Sequence, residues 1–561
     1  MVISKTISRT VGEYKNIKPI IGLAVACALA VAIGIWVGVS LEPKKEVAKL
    51  ENPALTSAVK KIGDILAHIE RDHVDDTDLQ TLSEMAICDL LKQLDPHSTY
   101  LTAKELVLGN IELQGELEGI GVEFVMLHDT AYIIAPISGG PSEKVGIRAG
   151  DRIIKVDDKD LSDQNLKQVE IVERLRGAKG TKVKLAVKRH HAEELLDFTI
   201  TRDKIPFYSV DTSYMVDSQV GYIKVSRFTA NTFKEFKTAF QGLQKQGMAK
   251  LLLDLRGNPG GYMDMAIKLA NSLLDRGQLI VYTKGKTSKY NAKYYAKGED
   301  KFDQCPVIVL IDEGTASAAE IVAGALQDND RALIVGRRSF GKGLVQAPIQ
   351  LHDDSQLRLT VARYYTPSGR FIQKSYEEGM TDYYADLIAR YKQGEYFHAD
   401  NIQFDDALKY QTSKGRTVYG GGGIMPDYFV PLEVSAHTVY LDQLQAKNIL
   451  QRYALEYVDQ CRDTLTAMEY EQYRSQFEVS DLMLKKLIAQ ADKAGVPYDD
   501  KAFRIAKERI KLLLKAYVAR NIWREQGFYP IYHQNDEEFQ KTLQLFDEAE
   551  TLIQKPSMDK E

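Results

Sequence analysis

Lys342 lies in a stretch, GRRSFGKGLVQ at residues 336–346, whose glycine spacing is compatible with two different chemistries. The pattern G-x-x-x-x-G-K is that of a phosphate-binding loop, which needs Ser or Thr after the lysine to bind Mg²⁺ and a helix that begins at the phosphates. Here Gly343 follows the lysine, and the next residues alternate between apolar and polar side chains as strands do. The sequence therefore argues against a nucleotide site and leaves the lysine available to act as a base.

A serine 25 residues upstream offers a partner for this lysine. Ser317 lies in VIVLIDEGTASAAEIVAGAL, which predicts a strand, a turn and a helix that begins near the serine. A serine there often only caps the helix. It could also be a nucleophile, because the helix N-terminus stabilises negative charge and the N–H of Ala318 would face a substrate oxygen. A neutral lysine can take the proton of such a serine, so the pair suffices for acyl transfer.

A lysine acts as a base only when burial lowers its pKa towards the working pH. The loop around Lys342 has few polar residues, which suits this requirement. The competing arrangement is a histidine-based triad, and the histidines near the predicted core are His352, His398 and His437. None of them lies in a motif, and the sequence leaves this alternative open.

A glycine turn supplies the third element of a possible site. In LLLDLRGNPGGYMD, at residues 251–264, a strand runs into a turn that contains Gly260 and Gly261. Such a turn can direct backbone N–H groups into a cleft and complete a two-donor oxyanion hole with Ala318. Taken alone, the turn is an ordinary one.

The residues around these three stretches predict the elements that position them. Over residues 204–435, apolar runs of strand length alternate with helix-like segments, which predicts a largely parallel sheet covered by helices. Ser317 and Lys342 each follow one of these strands, so both would emerge at the carboxyl edge of the sheet. A tyrosine-rich polar segment at residues 374–415 predicts an insertion or a surface arm.

Residues 106–203 consist of short β-type runs and predict a compact, mostly β domain. The stretch GPSEKVGIRAGDRIIKVDD resembles PDZ domains, and GIGV upstream resembles the loop in which such domains receive a terminal carboxylate. Successive backbone N–H groups would bind the carboxylate, and the adjacent strand edge would accept the peptide as an extra strand. The residues of this loop are Gly119, Ile120, Gly121 and Val122.

Both ends of the chain have helical spacing. Residues 42–105 predict an N-terminal helical region, and residues 436–561 are nearly all helical. One apolar stripe in the second region indicates packing or dimerisation; it consists of Phe503, Ala506, Ile510, Leu513, Leu514 and Tyr517.

Residues 20–41 form an uncharged apolar run of 22 residues, and a helix of about 20 residues crosses the ~30 Å hydrocarbon core of a bilayer. Positive residues within residues 1–19 precede it and favour a cytoplasmic N-terminus. We therefore expect a single membrane anchor, with the remaining chain on the far side. A cleaved signal peptide would deliver the chain to the same side.

The composition excludes several classes of protein. The net charge is −5 and no long stretch is strongly basic, so nothing indicates a nucleic-acid binder. The four cysteines, Cys27, Cys88, Cys305 and Cys461, are isolated, which argues against a zinc site or a disulfide framework. We expect neither a metal nor another cofactor.

Several motifs occur in one order after the PDZ-like unit: RGNPGG, TASAAEI, SFGKGLVQ, YYTPSGRFIQ and GIMPD. In this order they resemble the carboxy-terminal processing peptidases, or tail-specific proteases, of the S41 serine peptidase family, and the similarity covers residues 55–432. The resemblance implies a multidomain α/β fold. Its protease core would be crotonase-like or Clp-protease-like, with an inserted PDZ-like domain, N-terminal helices and a C-terminal helical region.

The resemblance also implies the roles of individual residues. Ser317 matches the nucleophile, Lys342 the general base, and Gln346 the glutamine that orients the lysine, whose amide oxygen would accept a hydrogen bond from it. The oxyanion donors would be Ala318 with Gly260 or Gly261.

Three further positions match family residues with weaker roles. Glu320 and Asp328 fall where some members carry supporting acids, but we favour the interpretation that both lie on the surface of a helix. Arg176 matches a PDZ arginine that couples this domain to the active site, and it could equally be a surface charge.

We therefore expect a membrane-anchored serine endopeptidase in the bacterial inner membrane, with its catalytic part in the periplasm or cell exterior. It would bind the C-termini of unfolded, tagged or precursor proteins and could form a homo-oligomer. One alternative is a catalytically inactive scaffold that binds partners through the PDZ-like domain. Another is a crotonase-type acyl-CoA enzyme.

Overall fold

The computed structural model describes residues 52–106, 115–127, 130–137, 139–161, 168–189, 192–298, 302, 305–433 and 438–554. The predicted cytoplasmic segment and membrane anchor, residues 1–41, lie outside these residues. No helix in the described part of the chain combines the length and the apolar character needed to cross a membrane. The chain divides into two compact units, Met1–Met85 and Ala86–Glu561.

The N-terminal region is helical, as predicted. Helix α1 (Pro53–Asp72) has a proline in its first turn, and the side chain of Asn52 caps it by accepting the N–H of Ala54. Four of its apolar side chains are about half exposed; they are Leu55, Val59, Ile62 and Ile65. Helix α2 (Leu79–Lys92) follows, and then strand β1 (Thr99–Leu101).

Residues 116–206 form the mostly β domain that the sequence predicts. Its strands are β2 (Glu116–Gly119), β3 (Val122–Leu127), β4 (Thr130–Pro136), β5 (Arg152–Val156), β6 (Lys159–Asp160), β7 (Lys182–Lys188), β8 (Leu196–Thr201) and β9 (Asp203–Pro206). Its helices are α3 (Pro141–Lys144) and α4 (Gln168–Leu175). The antiparallel sheet has the order β3-β4-β5-β7-β8, with β6 paired to β5, while β2 pairs with β9.

The α/β core that the sequence predicts begins after this domain. Its strands are β10 (Val210–Met215), β11 (Val220–Val225), β12 (Lys250–Asp254), β13 (Leu279–Gly285), β14 (Ala292–Tyr295), β15 (Val307–Ile311), β16 (Leu333–Gly336), β17 (Leu344–Gln350), β18 (Gln356–Tyr365), β19 (Lys409–Gln411), β20 (Thr417–Tyr419) and β21 (Tyr428–Phe429). Its helices are α5 (Thr232–Lys245), α6 (Met263–Leu273), α7 (Ala318–Asp328) and α8 (Met380–Lys392).

The central sheet of the core has the order β10-β11-β12-β15-β16-β21. All neighbours are parallel except β10 and β11, which confirms the largely parallel sheet. Helices α5, α6 and α7 contribute to the apolar core on one face. A second sheet, of order β1-β18-β13-β14, is antiparallel, and β17 also pairs with β18.

The hairpin of β17 and β18 follows the loop of Lys342 directly. A strand therefore follows the lysine where a phosphate-binding loop would be followed by a helix, which confirms the strands that the sequence predicts here.

The C-terminal region is helical as predicted, and its apolar stripe packs within the chain. Its helices are α9 (Val439–Ala446), α10 (Ile449–Thr466), α11 (Tyr470–Gln476), α12 (Asp481–Lys493), α13 (Asp500–Tyr532), α14 (Glu537–Leu543) and α15 (Phe546–Gln554). Short 3₁₀ turns occur at Ser288–Tyr290, Ala399–Asn401, Asp406–Leu408 and His533–Asn535. The stripe on α13 packs against α9, α10 and α12.

The C-terminal region also contacts both other domains. Phe539 of α14 and Phe546 of α15 pack on the second face of the central sheet, against Tyr222 and Leu252 among others. On the PDZ-like domain, Arg524 of α13 donates to the carbonyl of Pro136 at 2.8 Å. The sheet is thus covered by helices on both faces, as a largely parallel sheet requires.

Candidate active site

The three stretches singled out in the sequence meet in one cleft of about 590 Å³. Its walls come from the glycine turn after β12, the start of α7, the loop after β16 and the β17–β18 hairpin. The cleft residues that the sequence predicts are Ser317, Lys342, Gln346, Ala318 and Gly261.

Ser317 is held in a conformation that few residues other than glycine adopt. It lies between β15 and α7 with φ 54° and ψ −115°, immediately before the first helical residue, Ala318. Such a backbone costs on the order of 1–3 kcal/mol and persists only where the surroundings impose it. The sharp turn presents the hydroxyl at the helix N-terminus, where negative charge is stabilised.

Lys342 makes the hydrogen bond that the sequence analysis predicts. Its Nζ donates to Oε1 of Gln346 at 3.1 Å. Burial lowers the pKa of Lys342, although the negative charges of Glu320 and Asp95 oppose this effect. The lysine is therefore both oriented and shifted towards its neutral form.

Glu320 is not a helix-surface residue, and the expectation that it is one is wrong. Its carboxylate is fully buried, and it accepts hydrogen bonds from the backbone N–H groups of Ser317, Gly341 and Lys342 and from the hydroxyl of Ser339. Burial raises its pKa to about 7, while these hydrogen bonds act in the opposite direction. One carboxylate thus joins the backbone of the serine to that of the lysine loop.

Asp328 is also buried, so the surface expectation is wrong for this residue too. It lies at the other end of α7 from Ser317 and accepts hydrogen bonds from Arg370 at 2.6 Å and from the hydroxyl of Ser368 at 2.7 Å. The structure does not bring it to the cleft. Its contacts hold the turn that follows β18.

The two candidate glycines differ in what their N–H groups do. The N–H of Gly260 donates to Oδ1 of Asn258 at 2.8 Å, so it is already engaged. Gly261 lines the cleft together with Ala318. Of the two glycines, the geometry favours Gly261 as a donor to the cleft. Gly260 instead packs closely, because a Cβ added to it would lie 2.8 Å from Cβ of Ser317.

His97 contacts the lysine's partner and was missed in the sequence, where its surroundings, LDPHSTYL, predict only a turn. Its carbonyl accepts a hydrogen bond from Nε2 of Gln346, and its ring Nε2 lies 2.8 Å from the hydroxyl of Tyr383. Burial lowers the pKa of His97 to about 4, and the charge of Lys342 acts in the same direction. No local pattern could have revealed this contact, because Gln346 is 249 residues away.

The turn that carries His97 is fixed by Asp95. This buried carboxylate accepts the backbone N–H groups of His97 and Ser98 and, at 2.9 Å, the hydroxyl of Thr360 on β18. The turn therefore holds the carbonyl of His97 against the hairpin that carries Gln346.

The alternative histidines do not build a triad in the described part of the chain. His352 and His398 are exposed, and neither lines the cleft. His437 lies outside the described residues.

The predicted carboxylate-binding loop lies at the start of β3. Gly119 ends β2 and Ile120 is buried. Gly121 has φ 73°, a conformation that favours glycine, and an added Cβ would lie 2.8 Å from Cδ1 of Ile205. A Cβ on Gly119 would lie 3.6 Å from Cα of Arg176, so the partly buried arginine lies beside this loop.

Comparison with known proteins identifies the two central domains. Residues 219–382 match the model of peptidase family S41, and residues 119–200 match the PDZ domain model. The carboxy-terminal-processing protease of Bartonella bacilliformis is 41% identical over 317 residues, which cover 56% of this chain and 72% of that protein. The chain belongs to peptidase family S41.

A second relative agrees with this membership, and one solved structure is also similar in sequence. The carboxy-terminal processing protease CtpA of Bacillus subtilis is 36% identical over 349 residues, 60% of this chain and 74% of that protein. The structure of the photosystem II D1 C-terminal processing protease is 32% identical, covers 55% of this chain and 83% of its own, and has a TM-score of 0.32. Residues 440–524 match a family of unknown function.

As a member of family S41, the chain is a serine-type peptidase with a PDZ domain, and its C-terminal processing homologues support this class. The membership gives no support to an acyl-CoA enzyme or to an inactive scaffold. Of the residues that line the cleft, Ser317 is the one serine. In the part of the chain that the structure describes, no group of three or more acidic, His or Cys side chains could hold a metal ion.

Proposed function

We propose that this S41 peptidase is a membrane-anchored endopeptidase that uses a Ser–Lys mechanism and recognises the C-terminal tails of its substrates through the PDZ domain. The observation that carries the proposal is the hydrogen bond of 3.1 Å from Lys342 to Gln346, in the same cleft as Ser317. This bond orients a lysine whose pKa burial lowers, and a neutral lysine can accept a proton.

The reaction follows from these positions. Nζ of Lys342 accepts the proton of the Ser317 hydroxyl as Oγ attacks the scissile carbonyl carbon. The oxyanion receives hydrogen bonds from the N–H groups of Ala318 and Gly261. When the intermediate collapses, the lysine returns the proton to the leaving amine, and water then hydrolyses the acyl-enzyme with the lysine again acting as the base.

The PDZ domain supplies a surface for substrate tails. Among the described strands, β3 pairs only with β4, so its other edge has no strand partner and could pair with a substrate tail. The loop of Gly121 at the start of β3 would bind the terminal carboxylate through backbone N–H groups. Because strand addition requires an extended chain, the substrates would be unfolded, tagged or precursor proteins, with small or apolar last residues.

The apolar run at residues 20–41 supports a single-pass anchor. The positive residues before it support a cytoplasmic N-terminus, which would place the peptidase at the bacterial inner membrane with its catalytic part in the periplasm or cell exterior.

The half-exposed apolar face of α1 supports a homo-oligomer. Leu55, Val59, Ile62 and Ile65 lie on it at helical spacing, and a second copy could cover them.

The decisive experiment compares the full-length wild type in detergent with Ser317→Ala and Lys342→Ala, each incubated with an unfolded protein that ends in apolar residues. Cleavage by the wild type alone supports the mechanism. Equal cleavage by Lys342→Ala would eliminate the lysine as the base. Binding of the substrate without cleavage by any form would instead support the inactive scaffold.

A further inference from the structure

A carboxylate of the C-terminal region reaches the loops that carry the active site. Glu538, in the first turn of α14, is buried, and its Oε2 accepts hydrogen bonds from Nη1 of Arg256 and from Nη1 of Arg337, each at 3.2 Å. It lies outside residues 219–382 and 440–524, the segments that the peptidase and C-terminal family models match.

The two arginines stand at the bases of two catalytic loops. Arg256 follows β12 and lies five residues before Gly261, whereas Arg337 follows β16 and lies five residues before Lys342. One carboxylate oxygen therefore joins the loop of the proposed oxyanion donor to the loop of the proposed base.

The third catalytic loop belongs to the same network. Glu313, in the loop that leads to Ser317, accepts a hydrogen bond from Nε of Arg337 at 2.8 Å. Its neighbour Asp312 accepts the N–H of Gly257 at 2.7 Å. The loops after β12, β15 and β16 are thus connected at their bases by charged hydrogen bonds, which are about twice as strong as neutral ones.

The core leaves space for the carboxylate of Glu538, and a second acid, Asp536, binds the same arginine. A Cβ added to Gly336 would lie 2.6 Å from Oε1 of Glu538, so the glycine leaves space for it. Asp536 accepts a second hydrogen bond from Nη1 of Arg256, at 3.0 Å, and its Oδ1 also caps α14 by accepting the N–H of Phe539.

The end of α13 fixes these acids on the sheet. Nδ1 of His533 lies 2.7 Å from the hydroxyl of Tyr214 on β10, and its ring stacks on Phe539 with centroids 4.1 Å apart. The short segment from His533 to Glu538 is therefore a fixed part of the core's carboxyl edge.

The geometry points to Glu538, assisted by Asp536, as a positioning residue of the peptidase reaction: it sets the relative positions of the loops that carry Gly261 and Lys342. This inference rests on the peptidase mechanism proposed above. It gives the C-terminal helical region a part in catalysis, because the region supplies a charge that the three loops share.

The test compares Glu538→Gln with Glu537→Gln in the full-length protein. Glu537 is the matched control, since it is adjacent, exposed and paired only with Lys541 in the described residues. We expect kcat on an unstructured peptide to fall at least about 10-fold in Glu538→Gln, with KM little changed, because a displacement near 1 Å can cost about 10²-fold. Glu538→Asp, which retains the charge, should recover part of the loss.

The rate at which a fluorophosphonate labels Ser317, measured per folded molecule, distinguishes a displaced active site from a loss of folded protein. Labelling should slow in Glu538→Gln and not in Glu537→Gln. If Glu538→Gln does not fold, Asp536→Asn replaces it, because asparagine retains the helix cap while removing one charge from Arg256. Asp536→Asn should then lower kcat.

One outcome would overturn the positioning role of Glu538, and another would overturn the proposed peptidase mechanism itself. If the folded Glu538→Gln protein, or Asp536→Asn in its place, cleaves and labels like Glu537→Gln, the positioning role is overturned. If the wild type itself does not cleave, or Ser317→Ala cleaves equally, the proposed mechanism fails and the inference fails with it.

Discussion

Replacing Gly260 by alanine should lower the turnover of the peptidase while leaving the protein folded. The added Cβ would lie 2.8 Å from Cβ of Ser317, 2.9 Å from the carbonyl oxygen of Ala316 and 3.0 Å from the N–H nitrogen of Ala318. Because these atoms belong to three consecutive residues at the start of α7, relief of the overlap would move the serine and its neighbouring N–H together.

The magnitude follows from these distances. Ordinary carbon contacts begin near 3.4 Å. The Cβ atom of Ser317 would therefore have to move away by roughly 0.6 Å. Because a displacement near 1 Å can lower the rate about 10²-fold, we expect a loss of kcat of at least about 10-fold. The backbone itself adds a cost of about 1–2 kcal/mol, because Gly260 has φ 101°.

Gly277→Ala is the matched control. Gly277 lies outside the cleft and also has a positive φ, 89°, but an added Cβ would contact nothing within 4 Å. Both variants should therefore lose stability, and only Gly260→Ala should lose turnover. The assay is kcat on an unstructured peptide, with thermal unfolding of both proteins. Equal turnover by the two folded variants would refute the close packing of Gly260 on the serine.

Two further predictions concern Gln346, which accepts the hydrogen bond of Lys342, and His97, which contacts Gln346. Gln346→Ala should lower kcat about 10-fold, the equivalent of one hydrogen bond of about 1.4 kcal/mol. Gln350→Ala, at an exposed position on the same strand, should leave kcat unchanged. Equal kcat values for the two variants would contradict the orienting role of Gln346. The pKa of His97 in the folded protein is about 4, below its ordinary value of 6.5. The unfolded chain therefore binds a proton at this residue at a higher pH than the folded protein does. The free energy of unfolding falls as the pH drops from 6.5 to 4. Urea unfolding at pH 7 and 4.5 should show a loss about 2–3 kcal/mol larger for wild type than for His97→Gln. Identical losses would contradict a partly buried ring that stays neutral in the folded protein.

The sequence predicted those parts of the site that local spacing controls. The strand, turn and helix around Ser317 are continuous in the chain, so their order could be predicted from local patterns. The order of the motifs supplied the resemblance to the family, and the resemblance supplied the pairing of Lys342 with Gln346. The positive φ of Ser317 had no local signal.

The errors occurred where a residue's surroundings come from distant segments. Helix α7 is buried along its whole length, so helical periodicity could not separate an inner from an outer face, and Glu320 and Asp328 were misassigned to the surface. His97 and Glu538 reach the site from 249 and about 200 residues away, through contacts that no local pattern encodes.

The way the central sheet is covered has a consequence for dividing the chain into fragments. One apolar face of the sheet, including Tyr222, Leu252 and Ile308, is covered by side chains of α14 and α15. Removal of these two helices would expose this face to water and would take the carboxylate of Glu538 away from the loops of Arg256 and Arg337. We therefore expect the sheet and its C-terminal helices to fold as one unit, so that a fragment ending before α14 would aggregate.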